Sequence, residues 1–438
     1  MNTHSNTAQY PNSPQPDAVT EQAPLQGSKR GVVAATIGNV MEWYDMSMYA
    51  LLAVYISANF FPTADPAVGI IQTFAVFGIS FLIRPLGGLI LGAYADKRGM
   101  KKALTLTIQL MFIGTAINAF LPGYDTIGIL APIGIILARL IQGFSAGGEF
   151  GAATSYLIAQ TSSRRSFLGS FQFASQGLGG LVSILLVTFL TMVMSDADMT
   201  AWGWRIPFYV GLLIGPVGYY IRRHVEEAPL ARAEKPHRDS PIVDIFKTQK
   251  IGIFIAAGAL AMSTGLTYML SYIPTFGVEN LGMDAATSFS STIIPNVILT
   301  FATPFAGMLA DRIGRLKLMV PAAIATAIII VPMFIWVTET RSYAILVVSL
   351  AVLAFLKTIY FAPLPTLMSD AFAARSRATG LSFSYNASVA AFGGFTPLIA
   401  TSLINATGTA VAPAYYVIGI AALSICALFA GMRFRAIR

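Results

Sequence analysis

From Gly31 onward the chain is a succession of apolar stretches of about 20 or more residues, broken by short polar segments. A helix rises about 1.5 Å per residue, so ~20 apolar residues cross the ~30 Å hydrocarbon core of a bilayer. The stretches run roughly over 31–58, 67–95, 102–121, 126–159, 166–194, 203–222, 250–278, 285–310, 316–337, 342–372, 377–404 and 411–432, which predicts twelve spans. Several exceed the bilayer thickness, so those spans tilt or protrude into water. The mean hydropathy is +0.67 and only 11% of the 438 residues are charged, against roughly 25% in soluble chains. Segments such as Ile251–Leu270 and Leu318–Val337 are apolar on all sides, which excludes the alternating pattern of a β-barrel. Helices satisfy their own backbone hydrogen bonds in lipid, so an all-α membrane protein is predicted.

The net charge of +8 serves topology rather than nucleic-acid binding. With the N-terminus inside, 23 of the 28 Lys and Arg residues fall in cytoplasmic segments. The outside loops hold Arg341, and Arg205 lies just inside the sixth span. Residues 1–28, with Pro11, Pro14, Pro16 and Pro24, read as a disordered cytoplasmic tail without a signal-peptide pattern. His4, His224 and His237 fall outside every apolar stretch, so a histidine proton relay in the membrane is excluded. Cys426 is the single cysteine, and no disulfide or metal site is expected.

The chain also repeats itself. Gly92-Ala-Tyr-Ala-Asp96-Lys97-Arg98-Gly99 recurs 215 residues later as Gly307-Met-Leu-Ala-Asp311-Arg312-Ile313-Gly314. Both copies fall between the second and third spans of a six-span half. The reading is an N-terminal six-helix bundle over 29–222, a basic cytoplasmic loop over 223–248, and a C-terminal bundle with a short tail over 249–438. Two such bundles around a central cavity form a transporter architecture, with its site between the halves near mid-membrane.

Four stretches carry a family resemblance. They are Gly38-Asn39-Val40-Met41-Glu42-Trp43-Tyr44-Asp45; Arg84-Pro85-Leu86-Gly87-Gly88 running into Asp96; Arg139-Leu140-Ile141-Gln142-Gly143 with Gly147-Gly148-Glu149; and Trp202-Gly203-Trp204-Arg205-Ile206-Pro207-Phe208. Over residues 30–435 the chain resembles the major facilitator superfamily, and within it the metabolite:proton symporters, which include carriers of citrate, α-ketoglutarate, shikimate and proline/betaine. The resemblance implies a multi-pass protein of the bacterial inner membrane, working as a monomer with protons as coupling ion and no other cofactor. It departs from the family at Met100, where arginine is usual, and at Gln160, where glutamate is usual. The second half keeps Arg315 and has Asp370 at the matching helix end. The cytoplasmic gate, formed by Asp96, Lys97, Asp311, Arg312, Arg315 and Asp370, is therefore expected to depend more on the second half.

Ionisable groups inside a bilayer are costly, and each is a functional candidate. Within the spans these are Glu42, Asp45, Arg84, Arg139, Glu149 and Lys357. Counting helix rise puts Glu42, Asp45, Arg139 and Lys357 near mid-membrane, with Arg84 and Glu149 nearer the cytoplasmic side. Glu42 and Asp45 share a helix face with Asn39 and Tyr49, and Arg139, Gln142 and Glu149 share another. Asp45, Glu42, Arg139 and Glu149 are the proton-coupling candidates. Either a carboxylate–arginine pair changes during transport, or it is a fixed structural bridge. The resemblance favours the first, because proton-coupled sugar porters of the superfamily use an acid in helix one and an arginine in helix four. Lys357 needs a counter-charge, from the substrate or from an internal acid. Tyr360 lies on nearly the same face. Gln172, Gln176, Tyr268, Tyr272, Asn296 and Asn386 can contact substrate or join helices. Gly177, Gly179 and Gly180 read as a packing patch without the Gly-Pro pattern resembling antiporters.

No phosphate-binding loop, metal-spaced cluster or catalytic constellation is present, so an enzyme is not expected. The reading is symport of a small organic anion, a di- or tricarboxylate clamped by Arg139 and Lys357 from opposite halves. A zwitterion such as proline or betaine, against Trp43, Tyr44 and Tyr268, is the alternative. A proton-driven efflux antiporter is a third. The topology has a direct check: a cysteine at Thr3 should resist impermeant thiol labelling in intact cells. Efficient labelling from outside would reverse the orientation.

Overall fold

The computed structural model describes residues 29–63, 66–216, 219 and 240–433. The predicted tail 1–28, the three histidines, most of the 223–248 loop with Arg222, Arg223, Arg232, Lys235 and Arg238, and the terminal Arg435 and Arg438 lie outside the described residues. The described part is helical throughout its spans. Ten helices are long and apolar enough to cross a membrane. The remaining two spans are the first, Lys29–Leu51 continued by Ala53–Phe60 after a break at Leu52, and the sixth, described over Ile206–Gly211 and 214–216. The first carries Lys29, Arg30, Glu42 and Asp45, which explains why apolarity alone misses it. The fold is an all-α membrane bundle of twelve spans.

The second span is Pro66–Arg98, the third Met100–Phe120, the fourth Leu130–Ala159 and the fifth Arg165–Val193. The seventh is Lys250–Leu281, the eighth Ile293–Ile313, the ninth Arg315–Thr340 and the tenth Tyr343–Phe361 with Leu364–Asp370. The eleventh is Arg377–Phe392 with Thr396–Thr407, and the twelfth Ala412–Arg433. The halves meet chiefly where the fifth span packs on the eighth and the second on the eleventh. The expected 223–248 loop is not all loop: Pro241–Thr248 is a helix. Asp244 ties it to the segment before the eleventh span, accepting from Arg375 Nη2 at 2.7 Å and Ser376 Oγ at 2.8 Å. Burial opposes the Asp244 charge, but the hydrogen bonds from Arg375, Ser376 and Thr248 prevail and hold its carboxyl down at about 2.

The sequence repeat is a structural repeat. Gly99 and Gly314 sit at the same place in it, with φ of 100° and 101°. Only glycine takes that backbone without strain, so each makes the sharp corner between two spans. Just before each corner an aspartate reaches across to the other half. Asp96 accepts from the amides of Ala378 (3.1 Å) and Thr379 (2.9 Å), at the start of the eleventh span. Asp311 accepts from the amides of Ser166 and Phe167, both 2.9 Å, at the start of the fifth. Free amides and the helix dipole make each helix start a natural carboxylate site.

Asp370 completes this latch with ion pairs to Arg315 of its own half (2.6 Å) and Arg165 of the other (2.8 Å). Among the described residues the first half, with the uncharged Met100 and Gln160, shows no equivalent pair at the matching helix ends. Lys97 and Arg312 are exposed and take no part in the latch, contrary to expectation, whereas Arg165 does. Losing a helix cap costs about 1–2 kcal/mol, and each half-exposed ion pair up to about 1 kcal/mol. Spin labels on cysteines replacing the exposed Ser163 and Lys317, one per half, should therefore move apart in an Asp311→Ala/Asp370→Asn variant. The population of the long distance should rise roughly 10-fold or more. An unchanged distribution would show that the latch does not hold the halves together.

Candidate functional site

The second and fourth spans approach closely because Gly87, Gly143 and Gly147 line their contact. A β-carbon on any of them would strike facing backbone. This approach, with Pro85 inside the second span, brings Arg84 against the first and fourth spans. Arg84 and Glu149 are neighbours of Glu42 at the centre of the molecule. Glu42 and Glu149 lie close enough to act on each other, and the charge of Arg84 acts on Glu42. Arg84 Nη2 rests on Met46 Sδ at 2.7 Å and its guanidinium stacks on Phe81, while Nε has no partner.

Asp45, one turn away, is held differently. Its Oδ1 accepts from Thr115 Oγ1 at 2.8 Å and its Oδ2 from Gln142 Nε2 at 2.5 Å. Arg139 is close enough for its charge to act on Asp45, yet the two form no ion pair. The guanidinium instead lies over the Tyr49 ring, 3.8 Å from its centroid, with Nε and Nη2 unpartnered. The expected carboxylate–arginine pair is thus a looser arrangement. Asp45 is satisfied by neutral donors, and Arg139 keeps two donors free behind an aromatic face.

Lys357 is only 2% exposed, and no carboxylate is within ion-pair distance of it among the described residues. Its Nζ sits 4.8 Å from the centroid of the Phe361 ring. Tyr360 is not its co-ligand, because the hydroxyl donates to the Ala259 carbonyl at 2.6 Å.

The remaining candidates divide. Asn39 and Gln172 bond to each other across the first and fifth spans. Asn386 donates to Gly147 O at 2.7 Å, stapling the eleventh span to the fourth. Thr401 donates to Tyr272, and Asn296 donates to Thr292 O of its own helix. These read as helix joints. Gln176 and Tyr268 stay at the centre: Gln176 donates to Tyr385 at 3.4 Å, and the Tyr268 hydroxyl is buried and unpartnered. Gly177 and Gly179 are packing positions as expected, facing Thr300 of the eighth span and Val40 of the first.

One feature had no signal in the sequence. Phe361 stacks on Phe173 at 4.0 Å, Phe173 touches Phe150, and Phe150 stacks on Tyr385 at 3.8 Å. The stack crosses from one half to the other and back. Aromatic residues in apolar helices look alike in sequence whether they face lipid or a partner. Two cavities lie away from this core. One is narrow and apolar, among Leu266, Phe334 and Leu350; the other, about 480 Å3, opens beside the latch at Arg165, Asp311 and Lys317. Apart from Asn296, every proposed substrate contact is buried, so the centre is closed in this arrangement.

The Major Facilitator Superfamily profile matches residues 35–393 and 289–436. The chain belongs to the major facilitator superfamily. A protein of Staphylococcus aureus (strain MSSA476), provisionally named a proline/betaine transporter, is 37% identical over 90% of this chain and 86% of its own length. The citrate-proton symporter of Klebsiella pneumoniae is 33% identical over 94% of this chain and 93% of its own. Among solved structures, the proton:xylose symporter XylE bound to 6-bromo-6-deoxy-D-glucose shares the fold, with a TM-score of 0.76 at 16% identity over 92% of this chain and 95% of its own. The human organic anion transporter MFSD10 gives 0.65 at 15% identity, over 91% of this chain and 99% of its own.

Proposed function

We propose that this chain is a proton-coupled symporter that takes up a small organic anion by alternating access, with di- and tricarboxylates as the substrate class. Its place would be the inner membrane of a bacterium, with both termini in the cytoplasm. One observation supports the reading: two basic side chains of the core are buried without an ion-pair partner among the described residues. Lys357 is 2% exposed with an aromatic ring beside it, and Arg139 is 2% exposed with two of its nitrogens unpartnered. A buried basic group without a counter-charge in contact favours an anionic ligand. Lys357 supplies one contact as a point charge, and Arg139 offers two unpartnered donors.

A zwitterion is the second reading, favoured by the 37% identity to the provisionally named proline/betaine transporter. A zwitterion brings a cationic end as well, and Asp45 already has a donor on each oxygen. Uptake into proteoliposomes under an imposed inward proton gradient separates the two. Citrate should accumulate, and proline and betaine should not; the reverse pattern would contradict the anion reading. Lys357→Gln should raise the citrate Kd by ~10-fold or more, roughly 1.4 kcal/mol. Lys357→Arg should rescue it only in part, because the planar fork needs different geometry. Unchanged citrate affinity in Lys357→Gln would remove Lys357 from the site.

A further inference from the structure

Arg139 and Lys357 are both buried without an ion-pair partner among the described residues, and they differ in one respect. A guanidinium keeps its proton inside a protein, whereas a lysine can give its proton up. Arg139 is placed to hold a permanent charge: it lies over the Tyr49 ring, and Asp45 is near enough to act on it. Lys357 is placed otherwise. An isolated ammonium in a dry interior is so costly that a lysine there sheds its charge unless an anion stands beside it.

Lys357 lies near the middle of the tenth span, with its Nζ 4.8 Å from the centroid of the Phe361 ring. A ring attracts a cation but carries no net charge, so it offsets only part of the cost. The charged residues of the spans around it stand at helix ends. On the seventh span these are Lys250 and Glu279, with Tyr268 and Tyr272 between them. On the eighth they are Asp311 and Arg312, and on the ninth Arg315, Lys317 and Glu339. The fifth has Arg165 at its start. On the tenth span itself, Tyr343 begins the helix, Tyr360 donates to the Ala259 carbonyl, and Asp370 at the far end is held by Arg165 and Arg315. Phe361 also stacks on Phe173 of the fifth span at 4.0 Å, which ties the lysine's surroundings to the contact between the halves.

We propose that Lys357 carries the transported proton: an uncharged amine before the anion binds, and an ammonium while it is bound. The inference rests on the proton-coupled anion reading above. On the outer side, the nitrogen lone pair takes a proton from water as the anion arrives, and a third N–H bond forms. On the cytoplasmic side that bond breaks, the proton returns to water, and the anion leaves. The amine alone needs no counter-charge, and the ammonium is offset by a substrate carboxylate. Proton and anion therefore each make the other's binding favourable. Arg139 keeps its charge throughout and is the fixed contact.

Nitrogen-15 NMR of the purified protein, labelled at its lysine side chains, tests the amine without substrate. At neutral pH wild type should show a neutral-amine signal that is missing in Lys357→Gln. Citrate should convert that signal to an ammonium. Ammonium signals alone in the absence of citrate would overturn the proposal. In proteoliposomes, the pH change that accompanies citrate uptake gives the ratio of protons to citrate. Lys357→Arg should lower that ratio by about one, because a guanidinium stays protonated on both sides of the membrane. The ratio is independent of transport rate, so a slow variant still reports it. A wild-type ratio in Lys357→Arg would overturn the proposal. If Lys357→Arg carries no citrate, the amine signal decides. If wild type itself takes up no citrate, the anion reading fails, and the amine signal still decides the state of Lys357.

Discussion

A charge in the hydrocarbon core cannot be solvated, and this constraint organises the molecule. Six acidic or basic side chains are buried within the described spans, and each is accommodated by packing that the helices provide. Glycines at 87, 143 and 147 let the second span close on the fourth, which puts Arg84 beside Glu42 and Glu149. The third span supplies Thr115 to Asp45, and the first supplies the Tyr49 ring to Arg139. Lys357 alone has only an aromatic face. Cation–π contact offsets a part of such a burial cost.

The same helices link this core to the latch. The eleventh span begins at the amides bound by Asp96, and two turns later presents Tyr385 and Asn386 to Phe150 and Gly147. Helix rise separates the two contacts by about 10 Å. One continuous helix therefore joins the latch to the contacts with the fourth span. The fifth span, capped by Asp311 and carrying Phe173 and Gln176, does the same from the other half. The pseudo-symmetric capping means that both interfaces must release together for the basic end to open, while Asp370 weights the release toward one side.

Much of this was legible in the residues. The repeat around Asp96 and Asp311 located both caps, since the same eight-residue pattern makes the same corner twice. The charged residues in apolar runs marked the core. What residue counting could not supply was azimuth. Glu42 and Asp45 share a face, yet one meets a carboxyl and the other meets a threonine and a glutamine, because different helices stand opposite. Counting along the second span could not show that Arg84 would meet the first and fourth spans, because that depends on the close crossing that Gly87, Gly143 and Gly147 permit. Tyr360 lies near Lys357 on the helical wheel, but its hydroxyl is taken by the seventh span. The aromatic stack was invisible because Phe150, Phe173 and Phe361 differ from lipid-facing phenylalanines only in their partners.

The central claim is that the buried core takes up an anion and a proton as one event. Calorimetric titration of the purified protein with citrate, repeated at one pH in buffers of different protonation enthalpy, reads this directly. The account predicts an observed enthalpy that varies linearly with buffer enthalpy, with the sign of proton uptake on binding. Citrate binding whose enthalpy is the same in every buffer, or whose slope reports proton release, would contradict it.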